Sequence, residues 1–363
     1  MKSITVSVPG KIILMGEHSV VYGKPALLAA IDKRLQVTIT PTNDNKIVLI
    51  DKKLNLSEET SINQMVVSTQ KARKNLKQFE QDNQIKYLDF SRSTELTYVK
   101  IAIIETFAFY RKQLKNGFTL TIDSDLETGS GLGSSAALAV ATTGALTATL
   151  GLPLDKTVIS SIAHTIEKHM HGNPSGADTA ITCFGGLLWY RKEISILKTI
   201  TPINFAIPKK LAQNFILIHT GKPAESTGEM VHKVKLFSQK KPALFTKFLK
   251  DQEEVSRQLL TALHDGDEVT VKKLINQGEI NLEKIGVVSL TAQTLIAQIQ
   301  KAGGAAKICG GGGAKKGSGI VLAYHKDKTK ITEICQKHKL ATFTTTLGSE
   351  GLRIERANPI TKH

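Results

Sequence analysis

From Asp123 to Ala137 the chain reads DSDLETGSGLGSSAA. Gly129, Gly131 and Gly133 alternate with small or apolar residues, then run into Ser134, Ser135 and an alanine-rich stretch. Phe118, Leu120 and Ile122 alternate with Thr119, Thr121 and Asp123 before the loop, the pattern of a half-buried strand. Ala136 to Leu150 contains no proline and one internal glycine, so a helix is predicted to start at the serines. A glycine loop lets backbone N–H groups approach an anion without a Cβ in the way, and a helix amino end adds free donors and a positive dipole end. Phosphate is the natural guest. A Walker A loop would need a lysine before the hydroxyl residue, and none lies between Gly129 and Leu150. A dinucleotide fold would need a second strand after the helix, ending in an acid about 20 residues on. Gly151-Leu152-Pro153 leads into another helix instead.

Further polar residues stand where apolar ones are expected. Lys11 heads the apolar stretch Ile12 to Met15, and Glu17 with His18 closes it after Gly16. Each could be a surface charge at a strand end, but three polar side chains bracketing a buried strand suit a site better. Ile159, Ile162, Ala163, Ile166 and Met170 repeat at helical spacing, with Glu167 on the edge of their stripe. A carboxylate there is partly desolvated and calls for a cation. His164 and His171 share that face, which admits a transition-metal site but supplies no matching cluster elsewhere. Asn173-Pro174-Ser175-Gly176 forms a turn that delivers Asp178 to the next element, where a helix-capping role is the competing explanation.

The elements that must position these groups need two domains, for which 363 residues suffice. The first, 1–191, carries the candidate residues so far. It is expected to open with a strand ending at Pro9-Gly10, followed by the strand Ile12 to Met15 and a helix after Pro25. A strand through Leu35, Val37 and Ile39 should turn back at 43–45 into Lys46 to Ile50. Residues 57–92 read as a surface helix with a loosely specified loop, and 95–115 as a better helix. The second domain, 192–363, is another α/β unit. Its strands are expected at 215–219, 305–309, 320–324, 341–346 and 352–355, with long amphipathic helices through 228–302 and one near 328–339. The run GGGGAKKGSG, 310–319, lies between two apolar strands and marks a loop at a site rather than a linker.

Composition narrows the class. Hydrophobic residues make up 41% and charged residues 22%, as in ordinary globular proteins. No apolar run approaches the roughly 18 residues of a membrane span, and no signal peptide precedes Val6, so a cytoplasmic protein without membrane partners is expected. Cys183, Cys309 and Cys335 show no CxxC spacing and suit reduced thiols. The formal charge of +16 raises nucleic acid as a partner, but the lysines are dispersed and aromatics among them are few. A solvated lysine-rich surface accounts for them.

Three ordered segments together resemble one family. PGKIILMGEHSVVYGKPAL (9–27), ETGSGLGSSAA (127–137) and the glycine loop after Lys307-Ile308-Cys309 are similar to the motifs of the galactokinase, homoserine, mevalonate and phosphomevalonate kinases. GEHSVVYGKPAL and HGNPSGADT resemble the mevalonate branch in particular. The resemblance covers nearly the whole chain. It implies a two-lobed α+β kinase, with an N-terminal domain like ribosomal protein S5 and a ferredoxin-like C-terminal domain. It also implies ATP-dependent phosphorylation of the primary alcohol of mevalonate, with Mg²⁺, by a homodimer. Residue by residue, Asp178 matches the catalytic aspartate and Lys11 the lysine beside it, while Glu17, His18 and Thr220 match the substrate site. Glu167 and a loop serine, Ser135 ahead of Ser134, match the metal ligands. Asn55, Ser124 and the loop Gly129, Ser130, Gly131, Leu132, Gly133, Ser134 and Ser135 match the nucleotide contacts. The chain departs from the family pattern at Glu127, at Thr179 and in the third motif, GGGGAKKGSG.

Overall fold

The computed structural model describes residues 3–355 except 45, 83, 85–87, 89–94, 115, 128, 195 and 196. Part of the turn expected at 43–45, Thr128 of the glycine loop, and 83, 85–87 and 89–92 of the helix-and-loop stretch expected over 57–92 lie outside the described residues.

The first sheet is built on a long antiparallel pair, β1 (Ile4–Met15) and β2 (Ala26–Pro41). β1 is one strand, not the two expected, and Pro9-Gly10 marks a register shift within it. Proline at a bulge removes no needed donor, so the strand continues. A Cβ on Gly10 would stand 2.5 Å from Leu126 Cδ2, which reserves the place for glycine. The helix expected after Pro25 is instead the first half of β2. Ala26, Leu28 and Ala30 face one helix layer while Leu27, Ala29 and Ile31 join the larger core on the other side. A strand buried on both faces reads as a continuous apolar run, which is why ALLAAI looked helical.

β3 (Ile47–Asp51), β4 (Leu56–Thr60) and β5 (Phe118–Ser124) complete one flank of the sheet. β5 occupies the edge of β2 from Leu35 to Pro41, so β3 does not turn back onto β2. It pairs in parallel with β5 and antiparallel with β4. Helices α1 (Ile62–Asp82), α2 (Glu95–Phe109), α3 (Ser134–Thr149), α4 (Lys156–His171) and α5 (Ala177–Phe184) accompany it. α3 is the central one, buried at every residue from Ala136 to Thr147. Its small side chains allow this close approach to β1, β2, α2 and α4. β6 (Leu187–Lys192) pairs with Ala26–Ala29 of β2, and β7 (Lys198–Ile203) pairs with β6.

After α6 (Lys209–Ala212) comes a second sheet: β8 (Phe215–His219), helices α7 (Thr227–Lys240), α8 (Pro242–Asp265), α9 (Glu268–Lys284) and α10 (Leu290–Lys301), then β9 (Ala305–Cys309), β10 (Ile320–Tyr324), α11 (Lys328–Lys337) and β11 (Ala341–Thr345). Its order is β11-β8-β10-β9, all antiparallel, the β-α-β-β-α-β pattern of a ferredoxin-like unit with extra helices in the first crossover. β12 (Arg353–Ile354) returns to the first sheet, pairing with Val6 and Ser7 of β1. Arg34 fastens it, donating from Nε to Ser7 Oγ (2.8 Å), from Nη1 to Glu350 O (2.7 Å) and from Nη2 to Gly351 O (2.8 Å). The first sheet therefore draws strands from both sides of the 191/192 division.

Candidate active site

A cleft of about 710 Å³ lies between the glycine loop, the amino ends of α3 and α5, and the second glycine loop. Lys11 enters it from β1, just beyond the bulge, where its own N–H donates to Leu132 O at 2.9 Å. The lysine stem lies against Gly133: a Cβ there, at a backbone φ of +77°, would stand 2.9 Å from Lys11 Cγ. So packed, the side chain is nearly buried, and its Nζ reaches 3.2 Å from Asp178 Oδ2.

Asp178 does not cap α5. That place belongs to Gly176, and Asp178 sits in the first turn with its carboxylate partly open to the cleft. Free of capping, it can pair with Lys11.

Glu167 projects from α4 and is almost fully buried. Tyr98 donates its hydroxyl to Glu167 Oε1 at 2.9 Å. His171 Nε2 lies 3.7 Å from the same oxygen and 3.3 Å from Ser135 Oγ. Burial raises the Glu167 carboxyl; His171, Ser135 and Tyr98 oppose that, while Asp178 adds to it. Lys11 offsets Asp178, whereas among the described residues Glu167 has no lysine or arginine partner. Ser135 and Glu167 are hard oxygen donors facing one space, a set that fits Mg²⁺, which takes one or two carboxylates and completes its shell with water and phosphate. His164 lies against Gly176, and burial with Lys168 and Lys198 nearby lowers it to about 4, so it is neutral at pH 7. Among the described residues no three His, Cys, Asp or Glu side chains converge as a transition-metal site would require.

Gly129, Gly131, Gly133, Ser134 and Ser135 line the cleft. α3 starts at Ser134 with Gly133 in the cap position and no side chain capping it, which leaves its first-turn donors for a ligand. Ser130 and Leu132 serve the loop itself: Ser130 Oγ donates to Glu127 O at 2.6 Å, and Leu132 is buried beneath it. Ser134, Ser135 and Met170 also line a smaller adjoining pocket of about 120 Å³, walled by Leu35, Ile122, Leu126 and Leu138 and fringed by Asp51, Lys53 and Ser124. Its apolar walls and polar fringe suit a nucleobase. Asn55 is exposed in the β3–β4 turn and does not line this pocket; its neighbours Lys53 and Leu54 do. Tyr98 and Met170 were not singled out for the site, because each looks like an ordinary core residue of a helix.

Glu17 and His18 close the far end of the cleft. His18 Nε2 donates to Gly311 O at 3.0 Å, tying the second glycine loop to the first lobe. Glu17 is buried and paired with Lys307 of β9, which the sequence marks only as the lead-in to the second glycine loop. Thr220 does not line the cleft. Its hydroxyl donates to Gly319 O (2.8 Å) and accepts from Ser318 N–H (3.0 Å), shaping the second glycine loop from behind, and Thr227 faces the cleft instead.

Residues 98–186, which hold the loop, Glu167 and Asp178, match the GHMP kinases N terminal domain. The mevalonate kinase of Thermococcus sibiricus is 33% identical over 97% of this chain and 98% of its own length. This chain belongs to the mevalonate kinase family. That of Thermococcus onnurineus is 32% identical over 98% of this chain and 99% of its own. Among solved structures, Methanococcus jannaschii mevalonate kinase superposes with a TM-score of 0.77 at 22% identity, over 95% of this chain and 98% of that one, so the two-lobed α+β fold of the family is shared.

Proposed function

We propose that the protein transfers the γ-phosphoryl group of ATP to the primary alcohol of mevalonate. The observation that carries this reading is the Lys11–Asp178 pair, 3.2 Å apart, in a cleft whose other wall is a glycine loop opening an uncapped helix. Phosphoryl transfer asks a protein mainly for positioning and charge neutralisation. Donors from 129–135 would cradle the phosphates, and the smaller pocket would take the base. Ser135 and Glu167 would hold Mg²⁺, which when bound neutralises the phosphate oxygens.

Asp178 would receive the proton of the alcohol. A carboxylate is a far weaker base than an alkoxide, so the proton cannot leave before phosphorus is engaged. A loose transition state removes that demand, because the proton becomes acidic only as the new bond forms. Lys11 meanwhile stabilises the reacting oxygen and holds Asp178 in place.

ADP release from ATP, measured with Mg²⁺ and with mevalonate, phosphomevalonate, galactose or homoserine offered separately, tests the reading. Activity with mevalonate alone supports it; activity with another acceptor keeps the mechanism and replaces the substrate. The homodimer belongs to the same proposal, and sedimentation of the purified protein tests it.

A further inference from the structure

We propose that Lys307 is a positioning residue of the acceptor site: its ammonium fixes one oxygen of Glu17 so that the other accepts the tertiary hydroxyl of mevalonate. This rests on the mevalonate reading above.

Lys307 lies in the middle of β9, fully buried, with its Nζ on Glu17 Oε1 and a second bond donated to Ile308 O at 2.6 Å. A buried ion pair is a poor stabiliser, because desolvating two charges costs about what their attraction returns. Its use is to be sought elsewhere. Glu17 lines the cleft, and its Oε2 is buried and makes no hydrogen bond of good geometry among the described residues, although the backbone N–H groups of Gly310 and Glu17 lie near enough to favour the carboxylate. A carboxylate oxygen held in that way lacks a donor, and a ligand in the cleft can supply one.

The groups around Glu17 leave the lysine to it. Cys309, also on β9, is pushed up to about 11 by burial and stays a neutral thiol. Glu279 on α9 is pushed up to about 8, again by burial, and accepts from Ile308 N–H at 2.9 Å rather than from Lys307. His18, the next residue in the chain, is lowered by burial and spends Nε2 on Gly311 O. Lys11 is committed to Asp178. Among the described residues Glu17 is thus the one ion-pair partner of Lys307.

The chemistry of mevalonate then selects the contact. The molecule offers a carboxylate, a primary hydroxyl and a tertiary hydroxyl. Burial raises the Glu17 carboxyl and the Lys307 ammonium opposes this; as the carboxylate of that ion pair Glu17 repels the first, and Lys11 with Asp178 takes the second. The tertiary hydroxyl remains.

The test compares wild type with Lys307→Met on mevalonate and on its 3-deoxy analogue, following kcat/KM across pH. Wild type should prefer mevalonate by about a hundredfold or more, since a site built to bond a hydroxyl rejects the analogue without it. Lys307→Met should cut that preference below about tenfold and raise the KM for mevalonate while leaving that for ATP unchanged. It should also move the acid limb of kcat/KM up by about one pH unit, because Glu17 without its ammonium holds a proton more tightly. If Lys307→Met does not fold, Lys307→Gln keeps a donor without the charge, and its acid limb should still rise. A folded variant with the wild-type preference and acid limb, or an unmoved limb in Lys307→Gln, overturns the inference alone. Wild type inactive on mevalonate overturns the functional reading and the inference with it.

Discussion

Lys11 Nζ lies 3.2 Å from Asp178 Oδ2, the lysine nearly buried and the aspartate open to the cleft. The pair joins a bulged strand to the amino end of a short helix, and its asymmetry assigns the roles. The buried cation is fixed, whereas the carboxylate can meet a substrate. Asp178→Ala should lower turnover by about two decades or more with little change in ATP affinity. Equal loss of ATP binding, read by calorimetry, would make Asp178 a structural residue.

Glu167 is a carboxyl raised by burial and held by Tyr98, with room for a cation beside Ser135. Glu167→Gln should raise the Mg²⁺ concentration for half-maximal rate by about tenfold or more. An unchanged Mg²⁺ titration would remove it from the ligand set.

Gly133 combines a φ of +77° with a Cβ position 2.9 Å from Lys11 Cγ. Gly133→Ala should cost about 1–2 kcal/mol of stability for the left-handed backbone. It should also displace the lysine and lower kcat by about tenfold. Denaturant melts and steady-state kinetics read the two effects separately, and a normal kcat in a folded variant would show that the lysine tolerates the shift.

Glu105 joins α2 to α1 and α4 through Arg73 (Nη2 to Oε2, 2.7 Å) and His169 (Nε2 to Oε1, 2.9 Å). Burial raises its carboxyl, but hydrogen bonds and charge from Arg73 and His169 outweigh this and hold it at about 2. Its folded value lies below its unfolded value of 4.5, so the stabilisation is complete above pH 4.5 and is lost as pH falls toward 2. Glu105→Gln should lose on the order of 2 kcal/mol at pH 7, and the gap to wild type should close through that window in urea titrations. A gap independent of pH would assign the loss to packing.

The parts of the site that follow local rules were readable in the sequence. Alternation gave β5, the small-residue run gave α3, and the stripe from Ile159 to Met170 placed Glu167 at a buried edge. The rest depends on tertiary neighbours. Ala26–Ile31 is a strand because β1 and β6 flank it and apolar layers cover both faces, none of which is local. Lys307 interrupts the apolar run AAKIC, and a buried lysine there signals a partner; the partner is Glu17, on the other lobe. Thr220 sits in the segment matched to the family's substrate pocket, yet its hydroxyl is turned toward the backbone of 318 and 319.

The return of β12 to β1 sets an order of events. Ser7, near the start of the chain, donates to Glu355 Oε1 at 2.5 Å, and Arg34 holds the segment between them. During synthesis on a ribosome the edge of β1 at Val6 and Ser7 stays bare until Arg353 and Ile354 have emerged. The first sheet, though most of its strands come early in the chain, is therefore closed only after every strand of the second sheet has been made.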